Sequence, residues 1–486
     1  MGINIAGLMV LGVMIIVLSL MSRVSVASNT ALGLTSTEAV GRAGERARTN
    51  LQMISAWGGG GTLTVQIKNT GLTSVFDYPH MDFIVDYTDS SNNRVIARLT
   101  YTTGALADNQ WKKTSLTPDT FQPNAWDPEE IITLDAKLNP TQKADSSARV
   151  VVATPSGVAA TGSFTAKGFF WFTNAFDISL STTSLWQDID LSSYVPVGTS
   201  GAIVESVNTS SINNLSGVVR GKEDTRDYMS NPVFEAMTNK VHRWQIVKVD
   251  GNRLIQGWIE HGDIDFKLRG YTIGSDPSYF ANPPDITPAT KAQWEAVDVS
   301  AHVDADADGV ILFVDSTDGG LRKYAIREVG STFLAAGLDD HEIGRYSSTM
   351  YLVGINAANK FEAWLEEVAT VKIYLVGQTK DSVVYNLEDV AVADPVTGSW
   401  QELDANTYNV PIEANGLFLR AGALTAVNKK LGFRHGDSTD DWNGDIERIT
   451  YLLAGTGIRA DDVWDEYMES TSSEVFIAAY TVAVTE

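Results

Sequence analysis

An uncharged apolar run near the start of the chain places the strongest constraint on what the chain can fold into. Residues 3–21 contain no charged residue, no proline and no cysteine. As an α-helix, these 19 residues would span about 28 Å, close to the thickness of the hydrocarbon core of a bilayer. A helix with this surface is stable only against lipid or against other apolar helices, so the chain needs one of these partners.

The residues after the run continue a helical pattern. Residues 22–57 contain no proline, and small or apolar residues recur at three- and four-residue steps from Ala39 to Ile54, as in an amphipathic helix. We predict a single helix over residues 3–56, about 80 Å long. Four glycines at residues 58–61 are expected to form a hinge after it.

A secretory signal peptide is the alternative interpretation of the run. Ser25, Val26 and Ala27 resemble the small residues that precede a signal-peptidase site. However, no lysine or arginine precedes the run, whereas signal peptides carry positive charge there. We therefore favour a helix that is retained in the mature protein.

Charge and composition argue against several classes of function. The 486 residues include 60 acidic and 36 basic residues, which gives a net charge of −24. Phosphate binding needs a basic surface, so we expect no nucleic-acid partner. The absence of cysteine excludes disulfides, thiol catalysis and cysteine-ligated metals. No H-E-x-x-H, P-loop or G-x-S-x-G motif is present, and we expect neither enzyme activity nor a required cofactor.

From residue 62 the apolar pattern changes to a period of two. Leu63, Val65 and Ile67 alternate with polar residues, and residues 69–71 and 89–93 have the composition of turns. This pattern predicts a small antiparallel β-sandwich. We assign it to residues 58–165, after a helical segment at residues 1–57.

The apolar helix, its amphipathic extension and the β-rich head together resemble the subunits of type IV pilin-like filaments. The chain is most similar to the archaellin group, which lacks the glutamate found at the fifth mature position of bacterial pilins; Asn4 and Ile5 stand here. The stretches LTVQIKNTG at residues 63–71 and RVVVATPSG at residues 149–157 also carry the resemblance, which covers about residues 1–165. The basic-plus-glycine leader of that group is either missing from this sequence or reduced to Met1 and Gly2.

The resemblance implies a structural subunit of an extracellular helical filament that serves motility or adhesion. Subunits of this kind wait in the cytoplasmic membrane before assembly. Their partners are copies of themselves, the filament assembly machinery and a class III signal peptidase. The residues then expected to pack in the helical core of the filament are Ile5, Leu8, Val10, Leu11, Val13, Met14, Ile16, Val17 and Leu20.

The rest of the chain repeats with a period near 107 residues. Each repeat contains, in order, an aromatic residue, a tryptophan, an aspartate and a glycine that opens an apolar strand. These landmarks are Trp171, Tyr279 and Tyr385; Trp186, Trp294 and Trp400; Asp190, Asp298 and Asp404; and Gly201, Gly309 and Gly416. We predict three tandem β-sandwiches, either jelly-roll or immunoglobulin-like, at residues 166–277, 278–380 and 381–486.

The tryptophans that recur at one position of the repeat, Trp186, Trp294 and Trp400, have two interpretations. Exposed aromatic residues form platforms that bind sugars, whereas a tryptophan at one register in every repeat is more simply a core residue. We favour the core. The tryptophans outside this register, which we leave for interfaces, are Trp57, Trp111, Trp126 and Trp442.

One acidic loop has the spacing of a calcium-binding loop. Asp304, Asp306 and Asp308 occupy positions 1, 3 and 5, Gly309 follows at position 6, and Asp315 stands at position 12. Position 12 is not the usual glutamate, and the flanking residues read as strands and not as helices. A Ca²⁺ site is therefore the less favoured interpretation, and an acidic hairpin turn the favoured one.

Two glycosylation sequons lie close together, at Asn208 and Asn214. We treat both as candidate sites for surface glycans. They lie in a loop rich in serine and asparagine, which is typical of an exposed segment.

Three alternative functions fit the same sequence. The chain is expected to be a major filament subunit, a minor pilin of the same machine, or a membrane-anchored adhesin that binds glycans through its β-sandwiches. Copy number distinguishes the first two, and release of single molecules by detergent distinguishes the third. A secreted carbohydrate-active enzyme is a fourth and much weaker alternative.

Overall fold

The computed structural model describes most of the chain after residue 12. The described residues are 13–25, 40–41, 43–44, 46–59, 61–119, 121–210, 212, 215–225, 236–237, 242–320, 322–332, 342–343, 347–393, 397–412, 414–423, 429–441, 444–446, 451–459, 462–471 and 473–482. They fold mainly into β-strands, which confirms the predicted β-rich chain of sandwich-like sheets.

Helix is confined to the N-terminal part of the described residues. Residues 13–25 are helical, as are residues 40–41, 43–44 and 46–48. A continuous helix to residue 56 is not seen, because strand β1 occupies Leu51–Gly59. No helix within the described ranges combines the length and the apolar character needed to cross a membrane.

Strand β1 also replaces the predicted glycine hinge. β1 pairs with β2 (Thr62–Asn69) as a hairpin in which Gly59 lies opposite Thr62. Phe164 and Phe170 lie so close to Gly58 and Gly59, respectively, that neither glycine has room for a Cβ atom. These glycines therefore end a strand under aromatic side chains. The prediction failed because a short apolar run fits both helical and strand periodicity.

The head, residues 51–165, is built on one eight-stranded sheet. Its remaining strands are β3 (Asp82–Thr88), β4 (Arg94–Tyr101), β5 (Gln110–Thr117), β6 (Ile131–Lys137), β7 (Ser147–Ala153) and β8 (Ala159–Thr165), with a 3₁₀ turn at Tyr78–His80. The strand order is β1-β2-β6-β5-β4-β3-β7-β8. The β4–β5 pair is parallel, which corrects the expectation of a purely antiparallel head. Gly162 of β8 lies against Met53 of β1, so the two ends of the sheet meet.

Two tryptophans that we had left for interfaces lie inside the head instead. Trp111 and Trp126 are both fully buried. Trp111 packs against Phe83 and Tyr101, and the Trp126 indole donates a hydrogen bond to the Glu130 carbonyl at 2.9 Å. The interface interpretation was therefore wrong for both residues. Trp442 lies outside the described residues.

The crown, residues 168–482, contains three further sandwiches. The strands of sandwich 1 are β9 (Gly168–Asp177), β10 (Gln187–Asp190), β11 (Thr199–Asn208), β12 (Leu215–Gly221), β13 (Ala236–Met237), β14 (His242–Lys248), β15 (Leu254–Ile259) and β16 (Ile264–Ile273). Those of sandwich 2 are β17 (Ser278–Tyr279), β18 (Glu295–Asp298), β19 (Gly309–Ser316), β20 (Arg322–Glu328), β21 (Glu342–Ile343), β22 (Ser347–Gly354), β23 (Lys360–Leu365) and β24 (Val371–Thr379). Those of sandwich 3 are β25 (Val383–Ala391), β26 (Trp400–Asp404), β27 (Ala414–Ala423), β28 (Lys429–His435), β29 (Gly444–Ile446), β30 (Tyr451–Gly457), β31 (Val463–Met468) and β32 (Ser473–Val482), with a 3₁₀ turn at Ala405–Tyr408.

All three sandwiches have the same topology. In sandwich 1 the two sheets have the orders β9-β16-β11-β14 and β10-β15-β12-β13, and sandwiches 2 and 3 repeat this arrangement strand for strand. The first and last strands of each unit are therefore neighbours in one sheet. This is the double Greek-key order of a jelly roll, which decides between the two topologies that the sequence left open.

The three jelly rolls, which we call rolls 1, 2 and 3 after sandwiches 1, 2 and 3, close into a ring through one repeated contact. The aromatic residue in the first strand of each roll lies on the glycine that opens the third strand of the preceding roll. Tyr279 of roll 2 covers Gly201 of roll 1, and Tyr385 of roll 3 covers Gly309 of roll 2. Trp171 of roll 1 covers Gly416 of roll 3 and so completes the cycle. The crown thus has the arrangement of a threefold ring made from one chain.

An apolar core is shared among the rolls at the centre of this ring. It is formed by buried residues of all three units, among them Ile203, Ile246, Ile311, Phe313, Leu352, Phe418 and Leu453. Burial of such side chains contributes about 1.5–3 kcal/mol each. The rolls are therefore held together by a hydrophobic core of their own, in addition to the core inside each roll.

The registered tryptophans lie outside the jelly-roll cores, which corrects our interpretation of them. Each is half-buried next to the second strand and is covered by an arginine from the fourth strand. The distances from the guanidinium carbon to the ring centre are 3.8 Å for Arg220 over Trp186, 3.9 Å for Arg327 over Trp294 and 4.1 Å for Arg434 over Trp400. The cation–π contact is common to all three tryptophans, and Trp186 packs in addition against the core shared among the rolls.

Candidate assembly interface

The helical residues 13–25 expose a continuous apolar surface. The side chains of Val13, Met14, Ile15, Ile16, Val17, Leu18, Leu20, Met21 and Val24 are between 46% and 69% exposed. Full burial of an exposed side chain of this kind contributes about 1.5–3 kcal/mol, and covering these partly exposed ones would contribute roughly half of that each. Since these side chains surround the helix, this segment fits either lipid or a bundle of helices.

Only some of the residues predicted to pack in the filament core lie within the described part of the chain. Val13, Met14, Ile16, Val17 and Leu20 belong to the exposed apolar surface. The other predicted residues, Ile5, Leu8, Val10 and Leu11, lie outside the described residues. Ile15, Leu18, Met21 and Val24, which the prediction did not include, are exposed apolar side chains of the same helix.

The last helical residues are attached to the head by two of its turns. The Leu72 amide donates to the Arg48 carbonyl at 2.7 Å, and Gly71 packs so closely on residues 48–50 that it has no room for a Cβ atom. On the other side, the Arg46 guanidinium donates to the Gly157 carbonyl at 3.2 Å. Gly157 has a φ of 83°, a conformation that favours glycine.

These two turns belong to the two sequence stretches that carried the family resemblance. Residues 63–71 end at Gly71, and residues 149–157 end at Gly157. The structure gives both stretches one physical role, because both hold residues 46–50 against the head. This role could not be read from the strand pattern, since it depends on contacts with residues 46–50.

An exposed apolar patch lies on the head beside this attachment. Leu72, Phe76 and Phe121 are 80%, 73% and 80% exposed. Their loops are joined by a pair of backbone hydrogen bonds between Val75 and Trp126, at 3.0 and 2.8 Å. The head therefore carries three exposed apolar side chains close to its attachment to residues 46–48.

Charge is distributed unequally between the two halves of the molecule. Residues 166–486 contain 47 acidic and 24 basic residues, whereas residues 1–165 contain 13 acidic and 12 basic residues. Like-charged surfaces repel one another in water. The nearly neutral helix and head are thus better suited to close contact with copies of the chain than the acidic crown is.

The structure does not bring the four candidate calcium ligands together. Lys380 forms ion pairs with Asp304 at 3.0 Å and with Asp306 at 2.8 Å. Hydrogen bonds from Lys380 lower the pKa values of both carboxyls. Asp315 lies near the far end of β19, about 20 Å along the strand from Asp308. Within the described ranges, no three histidine, aspartate or glutamate side chains are grouped as a metal would require.

The folded chain does not present Asn208 for glycosylation. Asn208 is completely buried. Its side-chain amide donates to the Ile212 carbonyl at 2.9 Å, and its side-chain oxygen accepts from the Ser210 amide at 3.0 Å. The prediction of a surface glycan at Asn208 therefore conflicts with the structure. Asn214 lies outside the described residues.

Comparison with known proteins finds a family similarity in the N-terminal third of the chain. Residues 2–164 match the family model of archaeal-type flagellin, which confirms the resemblance inferred from the sequence. That family consists of structural filament proteins and not of enzymes. No curated protein matches the sequence.

Three solved structures illustrate the similarities. The archaellum periplasmic stator protein FlaG from Sulfolobus acidocaldarius is 19% identical, with 24% of this chain and 99% of that chain covered and a TM-score of 0.18. The archaeal flagellum of Methanospirillum hungatei strain JF1 is 15% identical, with 34% and 93% covered and a TM-score of 0.23. The triple jelly-roll protein of an archaeal virus turret is 10% identical, with 66% and 92% covered and a TM-score of 0.17. TM-scores this low carry no argument about the arrangement of this chain.

Proposed function

We propose that the protein is a structural subunit of an extracellular, archaellum-like filament. The exposed apolar surface of residues 13–25 is the observation that carries the proposal. Such a surface is stable when identical helices pack together and exclude water. The match of residues 2–164 to the archaeal-type flagellin family supports the same assignment.

In the proposed filament the helices form the core, the heads surround it and the crowns face the solvent. The nearly neutral N-terminal third allows close packing, and the acidic crowns keep neighbouring filaments apart. Successive subunits would add in a head-to-tail, non-closing arrangement, which produces a helical polymer. Before assembly, the apolar helix would reside in the cytoplasmic membrane, where a class III signal peptidase and the assembly machinery would act on it.

A pair of matched substitutions tests assembly. Leu20→Lys places a charge on the apolar helix, whereas Leu185→Lys places the same charge at a leucine of the crown that is 47% exposed. We expect Leu20→Lys to abolish filaments on the cell surface in negative-stain images and Leu185→Lys to leave them intact. Filaments of normal number from Leu20→Lys cells, or only monodisperse particles from wild-type cells, would refute the proposal.

Motility is the function that we propose for the filament. Deletion of the chain should abolish swimming while cells still attach to surfaces. Loss of attachment with normal swimming would instead support the adhesin, and a few copies per filament would support a minor pilin.

A further inference from the structure

The three junctions between neighbouring jelly rolls are formed by equivalent strands, but the cavities at these junctions differ greatly in volume. At each junction, the aromatic residue in the first strand of one roll is followed by a residue that faces the end of the fourth strand of the preceding roll. The pairs are Phe280 with Gly221, Asn386 with Glu328, and Phe172 with His435. The cavities at the first two junctions hold only about 30 and 10 Å³. The third, between rolls 3 and 1, opens into a cavity of about 360 Å³.

The head closes the third junction and so makes this cavity. Trp57, Thr64 and Asp135 of the head form one side of it, and rolls 1 and 3 form the rest. We call this space the junction cavity. Its volume lies at the lower end of the range of small-molecule sites, about 300–1,000 Å³, and the cavities described at the other two junctions are far smaller.

Aromatic rings form a large part of the wall of the junction cavity. Trp57, Phe170 and Phe172 are each partly exposed, and Tyr271 lies behind them. The rings of Phe170 and Tyr271 are stacked, with centres 5.3 Å apart and planes 15° apart. This packing holds the rings in place before a ligand arrives, which reduces the cost of binding.

Polar groups in the wall of the cavity retain capacity to accept hydrogen bonds. Each Asp135 carboxylate oxygen accepts from one threonine hydroxyl, Thr64 at 2.9 Å and Thr114 at 2.6 Å. A carboxylate oxygen has two acceptor sites, so each still has one for a ligand hydroxyl. Asp437, also in the wall, lies 3.7 Å from the Arg459 guanidinium.

The charges around the cavity disfavour an anionic ligand. Arg459 is paired with Glu402 at 2.7 Å as well as with Asp437, so its charge is already balanced. Asp135 and Asp437 both disfavour anions, and the described residues of the wall do not group three carboxylate or histidine side chains as a metal cation would require. A wall that combines aromatic faces with hydrogen-bond acceptors suits a molecule with apolar C–H faces and several hydroxyl groups.

We propose that the junction cavity binds a neutral saccharide unit of about one or two rings. The aromatic wall would contact the C–H face of the sugar, and Asp135 and Asp437 would accept hydrogen bonds from its hydroxyls. Trp57, which we had left for an interface, would then contribute to a ligand site. This inference goes beyond the structural role proposed above and does not depend on filament formation.

Two substitutions with a matched control test the site in the full-length protein. Thr173→Trp would fill the cavity from an exposed position in its wall, and Asp437→Ala would remove an acceptor. The control is Asp263→Ala, because His261-Gly262-Asp263 and His435-Gly436-Asp437 form the same turn, in which the aspartate amide donates to the histidine Nδ1 at 3.2 and 3.1 Å. Asp263 is 49% exposed and Asp437 50% exposed.

Binding would be measured by saturation-transfer NMR and calorimetry with maltose, lactose, cellobiose and glucuronic acid, in a detergent without a sugar headgroup. We expect a neutral disaccharide to bind with a Kd of about 1 mM or tighter. Thr173→Trp and Asp437→Ala should each weaken binding at least about tenfold, and Asp263→Ala should not. Absence of neutral-sugar binding by wild type, preference for glucuronic acid, or unchanged binding by Thr173→Trp would each overturn the proposal. Filaments in the same samples, counted by microscopy, report separately on the structural role.

Discussion

The Trp171 indole nitrogen donates a hydrogen bond to the Thr481 hydroxyl at 3.2 Å, across 310 positions of the sequence. Tyr279 makes the corresponding bond with Thr272 at 3.1 Å, and Tyr385 with Thr379 at 2.8 Å. In those two cases the partners are close in sequence. Only the bond of Trp171 joins the first strand of the crown to its last, so this pair closes the ring.

Substitution of Gly416 by alanine should open or strain this closure. A Cβ atom at Gly416 would overlap the Trp171 indole, and overpacking of this kind costs about 1–3 kcal/mol. We expect the free energy of unfolding of the crown to fall by that amount in denaturant titrations. Gly251→Ala is the control, because no atom lies within 4 Å of a Cβ at that position. Equal stability of the two variants would show that the Trp171 contact does not limit ring closure.

A buried ion-pair network at the same junction predicts a dependence of stability on acid pH. Glu205 of roll 1 is bonded to His242 and, at 2.5 Å, to Arg269, which also reaches Asp440 of roll 3 at 3.2 Å. Burial by itself would raise the pKa of Glu205, but the charges of Arg269 and His242 outweigh it and lower the pKa to about 2. The stability that this group supplies is therefore fully present above pH 4.5, its ordinary pKa. It is lost as the pH falls toward 2.

Glu205→Gln should remove much of this pH dependence. The shift corresponds to up to about 3 kcal/mol, so the difference in stability between wild type and variant should be largest above pH 4.5 and shrink toward pH 2. Chemical denaturation across this range would measure it. Parallel pH profiles for the two proteins would contradict the role assigned to Glu205.

The arginine–tryptophan pairs should stabilise each jelly roll separately. Arg327 lies over Trp294 and also donates to Glu362 at 2.8 Å. Replacement by methionine keeps most of the side-chain volume but removes the charge, and we expect a loss of about 1–2 kcal/mol. Tryptophan fluorescence should change as well, because the cation no longer lies on the indole. Unchanged stability together with changed fluorescence would show that the contact between arginine and tryptophan does not stabilise the jelly roll.

The apolar patch on the head predicts a second contact between subunits. Phe121→Asp places a charge beside the attachment of the helix, whereas Ile96→Asp places one at a residue of β4 that is 64% exposed. We expect Phe121→Asp to reduce the filament mass recovered from cells several-fold, because a buried unpaired charge is costly. Ile96→Asp should have a smaller effect. The reverse order would place the subunit contact on β4.

The sequence alone was enough to predict the repeat, but it did not predict the structural roles of the residues that recur in it. A period near 107 residues identified Trp186, Trp294 and Trp400, and Gly201, Gly309 and Gly416. Periodicity shows that a position recurs; it does not show which side of a sheet it occupies. The arginines that cover the tryptophans come from another strand, and the aromatics that cover the glycines come from another roll. Both roles depend on contacts between distant segments.

The wrong predictions for residues 51–56 and for the acidic loop have a similar cause. In each case a contact with another segment of the chain decides the structure. Residues 51–56 fit helical spacing as well as strand spacing, and only pairing with β2 selects the strand. In the acidic loop, the spacing of Asp304, Asp306 and Asp308 resembled a cation site. The cation that the fold supplies to two of them is Lys380, more than seventy positions away.

Because the ring is made from one covalent chain, its three junctions are free to differ. In a trimer of identical subunits, symmetry would impose the same residues at every junction, so all three would open or none would. Here two junctions are filled and one is enlarged. Covalent continuity thus lets a threefold scaffold enlarge one junction without the other two, and a helical polymer of such subunits would display the proposed site once per helical step.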